Sequence, residues 1–504
     1  MQYHHENRLI KIKSVLAEGH ILGVKFFGTE TFSQAFRFNV DVISTDKNLT
    51  AKQLLNTLLL VTIIQSDAPR YFHGSVTEFQ QGRKEGGFYH YHLVMHPSLY
   101  SQRQTNNFRI FQNLSIPEII KKILNEAKIV DFEFKLKSSY KNQEYCCQYN
   151  ESNESFIHRL LSEVGIIYYY QHQADCHKLI FVDQVHSFLK AKENYKQETF
   201  FEKVHAKSCS LVLSDHQQKS QESESDYAKK MHVYPGNVAT NEEAHSKMVL
   251  HREAYEVSKQ QLSGSSSTME LVLGNFFSYQ KGECYPFQIN YSVEDGSYFS
   301  SGGQSIQVRW NALPMTVNYK SSIIKRPKVT GVELAVVVSD LQQEIDVDQY
   351  GRVRVCFQWS HDEGEYRNYS CYVPVMNGWA GLNYGMQFFP RVGEQVVVQF
   401  IHGDPNRPLI IGSVYQHEHV PPFTLPSQKT KSGIKTCSSP KGDKLSGNLL
   451  TFEDAIGKEC IEMESVGKLN FSAKKEIKFQ VGKTMMVMTE EGISFKAKKI
   501  KIAK

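Results

Sequence analysis

No stretch of the 504 residues approaches the roughly 18 consecutive apolar side chains of a membrane-spanning helix. The opening residues, Met1-Gln2-Tyr3-His4-His5-Glu6-Asn7, also lack the apolar core of a signal peptide, so export is expected to need dedicated machinery. Nine cysteines are scattered with no C-x-x-C, and the one adjacent pair, Cys146 and Cys147, alternates across a strand; no disulfide framework is implied, which suits folding in a reducing cytoplasm. Charge of one sign is lacking too. The net +5 comes from 58 basic and 53 acidic side chains and gives no argument for a nucleic-acid partner. Missing as well are a G-x-S-x-G elbow, an H-E-x-x-H pair and a Gly-rich phosphate loop before a helix, which leaves the common hydrolase and nucleotide-binding signatures without support.

What the chain does hold is β pattern. Trp is scarce (three), but 26 Tyr and 30 Phe stand among β-branched runs broken by Gly, Asn and Asp. Residues 20–100 read as alternating strands, Phe36 to Ile43, Leu58 to Ile64, Gly74 to Phe79 and Tyr89 to Met95, and suggest a barrel. His90 and His92 share one face of the last strand with His96 nearby; without a partner cluster they are read as solvent-facing. Two helices are expected. One spans 115–127, with Ser115 as cap and Pro117 and Glu118 in the first turn; the other runs from Ser152 or Asn153 to Gly165, with His158 an exposed helical side chain. Residues 215–270 are polar and read as an exposed loop, and strands resume from Met269 to about Asn318.

Between Lys328 and Tyr415, five short strands (331–338, 353–359, 372–375, 396–401, 409–412) suit an OB-type barrel. Mixed charge argues against single-strand nucleic-acid binding there, so Phe357, Trp359 and Trp379 are read as core or contact aromatics. Glu363 and Glu365 sit in a polar loop and are read as a solvated hairpin tip, not a catalytic carboxylate pair.

The tail from Ile461 onward repeats every eight residues. Ile461, Leu469, Ile477, Met485 and Ile493 form one series, and Met463, Phe471, Phe479, Val487 and Phe495 a second. Two apolar residues two apart share one strand face, while Lys, Glu, Gln, Ser and Thr fill the other. An octad is too short for one chain to circle a β-helix, so neighbouring strands are expected from two other copies around a threefold axis. The five octads would make a rod of roughly 25 Å. A meander of short amphipathic hairpins is the alternative; the constant step favours the β-helix, since hairpin lengths need not repeat.

Four blocks then carry a family resemblance: Phe26-Phe-Gly-Thr-Glu30, the segment from Gln148-Tyr-Asn-Glu-Ser152 to Tyr170, the small barrel, and the octad tail. The barrel is the most specific, with Asp348-Gln-Tyr-Gly-Arg-Val-Arg-Val355, Gly378-Trp-Ala-Gly381, Pro390-Arg-Val-Gly-Glu-Gln-Val396 and Gly403-Asp-Pro-Asn-Arg-Pro-Leu-Ile-Ile-Gly412. In these the chain resembles the VgrG (valine-glycine repeat) spike proteins of type VI secretion, which are similar to fused hub and needle proteins of phage tails. Ser370-Cys371-Tyr372-Val373 departs from the family, which usually has Trp and Arg there.

The resemblance implies a mainly β fold: a hub of β-barrel domains with a helical insertion (1–330), an OB-fold barrel (331–416), a linker or neck (417–460) and a C-terminal trimeric β-helix or β-prism needle (461–504). It implies a homotrimeric, non-catalytic spike, assembled in the bacterial cytoplasm and secreted, with no cofactor or metal. Expected partners are an Hcp-type tube protein and baseplate, effectors or adaptor proteins, and, transiently, a target membrane. The short stretch between Tyr415 and Ile461, and the chain stopping at Lys504, leave no expected room for an enzyme domain. The final strand would expose open edges at Ile500, Ile502 and Lys504, where a PAAR-repeat tip protein is expected to dock. A phage-tail or extracellular injection particle spike, or an enzyme-bearing spike, is the alternative.

Overall fold

The computed structural model describes the chain apart from residues 1–7, 66–68, 192–198, 205–208, 216–217, 222–228, 234–235, 237–239, 280, 297–302, 342, 361–368, 418, 441, 443–445 and 502–504. It is mostly β and divides into two compact units, one of residues 1–336, 347–387 and 397–412, the other of residues 337–346, 388–396 and 413–504.

The first unit is built on a twelve-stranded sheet. Its main path runs Ile10–Lys13, Leu58–Ile63, Arg70–Glu85, Phe88–His96, Arg37–Ser44, Leu22–Thr31, Gly282–Asp295, Gln304–Pro314, Gln260–Ser266, Thr199–Val204. The early and late parts of the chain meet where Leu22–Thr31 pairs antiparallel with Gly282–Asp295, from Thr31 opposite Gln288 to Lys25 opposite Glu294. The alternation read in the sequence turns Phe26, Phe36, Phe38 and Phe72 inward, where they pack with Tyr285, Tyr291 and Trp310 in one continuous core.

Both expected helices form. Ile116–Glu126 starts on a reciprocal capping box, in which the Glu118 side chain accepts from the Ser115 backbone N–H, and buries Ile119, Ile120, Ile123 and Leu124. Asn153–Val164 is capped by Ser152, which accepts from the Ser155 N–H, and ends at Gly165 with φ of 70°. The loop expected over 215–270 is corrected: Asn241–Glu256 is a helix capped by Thr240 with Glu242 and Glu243 in its first turn, and Gln260–Ser266 is a strand of the main sheet. That helix buries only Ala244, Met248 and Leu250, too few apolar positions to stand out in its sequence. Residues 222–226 of that polar stretch lie outside the described residues.

The OB region holds a four-stranded sheet in the order Arg354–Phe357, Val332–Val338, Gln395–Phe400, Pro408–Ser413. Its core includes Val353, Val355, Phe357, Val373, Val398, Phe400 and Ile410. The fifth expected strand, 372–375, is reduced to single bridges from Val373 to Val353 and from Val375 to Ile410, because Pro374 has no N–H to extend a ladder. Ser370, the first residue of the block that departs from the family pattern, is buried; its hydroxyl accepts from the Val355 N–H and donates to the Cys371 carbonyl.

Candidate interaction surface

The second unit carries the octad tail as two antiparallel three-stranded sheets. In the first, Cys460–Glu464 pairs with Leu449–Glu453, which pairs with Lys431–Lys435, so the expected neck contributes strands. Ile461 and Met463 lie opposite Phe452 and Leu450. In the second, Glu476–Val481, Thr484–Thr489 and Gly492–Lys496 form a meander. Gly482, with φ of 55°, permits the two-residue turn between the first two of these strands. The octad strands from 476 onward thus find neighbours within one chain, contrary to the expectation that only other copies could supply them.

This pairing also changes a face. Directly opposed residues share a side of a sheet. Ile477 and Phe479 oppose Met488 and Met486, which in turn oppose Ile493 and Phe495. Met485 and Val487, grouped by the period with that apolar series, lie on the other face, opposite Gln480 and Lys478 and then Lys496 and Ser494. Leu469 and Phe471 lie outside any strand. None of the ten proposed needle residues is buried in the single chain: Ile477, Met485 and Val487 are half-buried, and the other seven are 49–67% exposed. Ile500 is also exposed, whereas Ile502 and Lys504 lie outside the described residues.

A second apolar surface surrounds Trp379, which the sequence marks as a core or contact aromatic without its neighbours. Met376, Trp379, Leu382, Tyr384 and Met386 are all exposed around a tight hairpin pairing Ala380–Gly381 with Tyr384–Gly385. Trp379 and Tyr384 meet edge to face at 5.6 Å. Its sequence signal is a gap in charge, since residues 368–390 contain no Asp, Glu, Lys or Arg. Exposed Trp, Tyr and Met on an uncharged patch are the composition of a protein interface core. Phe357, by contrast, is buried and stacks on half-buried Trp359 at 4.8 Å.

Two of the sequence blocks behind the family resemblance turn out to touch. Arg159, buried in the helix Asn153–Val164, donates to both oxygens of Glu151, to Glu163 and to the Cys147 carbonyl. Arg326 donates through Nε and Nη2 to the two oxygens of Glu163 (2.9 and 2.8 Å) and through Nη1 to Asp404 (2.9 Å). The Cys147 N–H donates to Asn406 Oδ1. The Gln148 block and the Gly403-Asp-Pro-Asn block are therefore fastened together by a buried Glu151-Arg159-Glu163-Arg326-Asp404 chain. Burial would raise the Glu163 carboxyl, but Arg326 and Arg159 bring it down to about 2.

Among the described residues no group of three or more His, Cys, Asp or Glu is placed to hold a metal ion, and eight cysteines are free. His92 pairs with Asp41 at 2.6 Å, while His96 is buried against Tyr100, which corrects its solvent-facing reading. His158 is half-buried, not exposed: it lies 2.7 Å from the Tyr168 hydroxyl, and burial pushes its imidazole down to about 4. Glu363 and Glu365 lie outside the described residues. No helix among the described residues is long and apolar enough to cross a membrane.

Comparison with known proteins defines the class. Residues 29–204 match the phage tail baseplate hub family, and residues 334–415 match the type VI secretion system/phage-baseplate injector OB domain. The chain thus carries, in this order, a segment that matches the phage tail hub and one that matches the injector OB domain. Over most of its length it resembles the VgrG spike proteins of type VI secretion. It is 29% identical over 494 residues to the spike protein VgrG1b of Pseudomonas aeruginosa, covering 90% of this chain and 66% of that one. With VgrG1a of the same organism it is 28% identical over 513 residues, covering 94% and 80%. An actin cross-linking toxin, VgrG1 of Vibrio cholerae, is 30% identical over 496 residues, covering 87% of this chain and 44% of the toxin. The chain therefore spans between less than half and four fifths of these curated relatives. In fold it is similar to the E. coli c3393 protein, a type VI secretion component likened to the T4 tail proteins gp27 and gp5, with a TM-score of 0.62 and 22% identity over 80% of this chain and all of that one. It is also similar to a chain of the Francisella PdpA-VgrG complex, with a TM-score of 0.59 and 11% identity over 97% of this chain and 79% of that one.

Proposed function

We propose that the protein is a non-catalytic homotrimeric spike at the tip of a type VI secretion tube, with a hub over 1–330, an OB barrel over 331–416, a neck over 417–460 and a needle over 461–504. The observation that carries this reading is the tail: in a single chain, ten apolar residues at fixed spacing remain half-buried or exposed. In an octad stacking that brings all ten to one face, burying what each leaves in water is worth roughly 1 kcal/mol, so of order 10 kcal/mol per chain is gained when three tails pack together, enough to offset the cost of ordering partners. The rod then acts mechanically. Contraction of a sheath drives it forward through a target membrane, the hub resting on an Hcp-type tube and baseplate and the tip carrying a PAAR-repeat protein. Effectors or their adaptors travel with it. The naming of one relative as a toxin is a property of that longer protein. Native mass spectrometry of the purified full chain tests the reading: a trimer is expected, and a stable monomer at micromolar concentration with a folded tail would refute it.

A further inference from the structure

Three buried imidazoles in the hub have no part in that function. His73 lies on Arg70–Glu85, His172 ends the strand Ile167–His172, and His177 begins the antiparallel partner strand His177–Val182. Their hydrogen bonds determine where each proton sits. The Ser98 backbone N–H donates to His177 Nε2 at 3.0 Å, so neutral His177 carries its proton on Nδ1. That Nδ1 faces His73 Nδ1 at 3.0 Å, which must accept, leaving the proton of His73 on Nε2. The His73 backbone N–H donates to His172 Nδ1 at 3.1 Å, so His172 is protonated on Nε2 and donates from there to Glu30 Oε1, also at 3.1 Å. The other Glu30 oxygen accepts from the Tyr291 hydroxyl at 2.7 Å and faces Arg70 at 3.5 Å.

Each ring nitrogen free of a proton is therefore already an acceptor. A proton added to His177 Nε2 would point at the Ser98 N–H, with the Ser98 hydroxyl, also 3.0 Å away, left to accept it, and one added to His73 would point at the His177 N–H. Both set two donors against each other and break a hydrogen bond of the closed form. Beyond the Ser98 hydroxyl the surroundings offer little relief. Glu30 serves His172 and is shared with Arg70 and Tyr291. Tyr170 and Phe36 meet His177 edge-on, and Asp131 and Asp175 act on His73 only at a distance. Beyond, His96 stacks on Tyr100 and feels Arg37, Glu78 and Arg103.

We propose that this knot is an acid-release latch: it fastens the hairpin 167–182 to the strand Arg70–Glu85 at neutral pH, and proton uptake by His73 and His177 frees that hairpin from the hub. Burial and the neighbouring rings push His177 down to about 3, and burial lowers His73 as well. The open form, with His73 and His177 at an ordinary imidazole value near 6.5, takes up protons that the closed form refuses. The closed form accordingly keeps its full stability above pH 6.5 and loses it as pH falls from there toward about 3.

Amide hydrogen exchange of the full chain at pH 7.5 and 4.5, corrected for the intrinsic pH dependence of exchange, tests the latch. One latch proton should raise opening of peptides covering 167–182 and 70–76 about 100-fold at pH 4.5, while the strand Arg37–Ser44 stays protected. In His177→Gln an amide oxygen can still accept from the Ser98 N–H without titrating, so the pH dependence should flatten. A uniform loss of protection across the hub, or an undiminished pH dependence in His177→Gln, overturns the proposal. Should that variant fail to fold, the 15N imidazole resonances of the unaltered protein decide: the latch requires His177 protonated on Nδ1 and titrating well below 6.5, and a midpoint at or above 6.5 refutes it.

Discussion

Replacing Arg326 with Gln removes the guanidinium that joins Glu163 to Asp404, two carboxylates whose side chains are 11% and 5% exposed. The magnitude follows from the carboxyl it holds. Burial is the largest influence on Glu163 and would raise it, yet the carboxyl is brought from an ordinary 4.5 down to about 2, and Arg326 contributes most of that lowering. That displacement corresponds to about 3 kcal/mol of native-state stability. Removing one partner of a buried ion pair typically costs about 3–5 kcal/mol, which agrees. Arg159 still reaches Glu163 in the variant, so the lower end, about 3 kcal/mol, is the expected loss. Because the folded value is depressed, this stability is present above pH 4.5 and is lost as pH falls toward about 2. Urea unfolding followed by tryptophan fluorescence at several pH values is the assay, and the gap between native protein and variant should be constant from pH 6 to 8 and shrink below 4.5. Arg326→Lys keeps the charge but not the two-pronged contact, so it should fall between them. A loss under about 1 kcal/mol, or a gap indifferent to acid, would refute the assignment of this chain of charges as the clamp between the two sequence blocks.

The tail allows sharper tests. Phe479→Asp should abolish trimers in native mass spectra, because three carboxylates would meet at the axis with no cation, whereas Lys478→Asp on the other face should be nearly silent; equal damage would invalidate the inward assignment. Val487→Asp and Met488→Asp distinguish two packings. If octads stack between chains, Val487 points to the axis and its variant alone dissociates the trimer; if the meander persists in the assembly, Met488 shares the face of Ile477 and Ile493 and its variant alone does so.

Local signals were read well where one segment carries the whole cause. Ser115 with Glu118, and Ser152 with Gly165, define two helices because caps and stops act within a few residues. The helix Asn241–Glu256 is not legible in the sequence, because its stability comes from three buried contacts and its capping, not from an apolar stripe. Long-range juxtapositions were invisible for a different reason. Glu163 and Asp404 are both in segments with a recognisable pattern, yet nothing in either segment indicates that Arg326 will hold them together. The same holds for His73, His172 and His177, which look like isolated histidines until the strands that carry them cross.

The octad tail shows why a clear period still left its packing open. Eight residues can be one strand step of an inter-chain layer, or six residues of strand and two of turn in a hairpin meander; both repeat with the same period. They differ only in the middle strand. Stacking by octads keeps Met485 and Val487 with Ile477 and Phe479, whereas antiparallel return reverses the alternation and puts Met486 and Met488 there instead. That strand reads Thr484-Met-Met-Val-Met-Thr489, apolar at all four inner positions, so its own pattern favours neither face. Each of the four side chains is half-buried in the single chain, and an assembly that covers one face leaves the other for solvent. A strand apolar on both sides is compatible with either partner, and the choice between them is made by what the rest of the assembly buries.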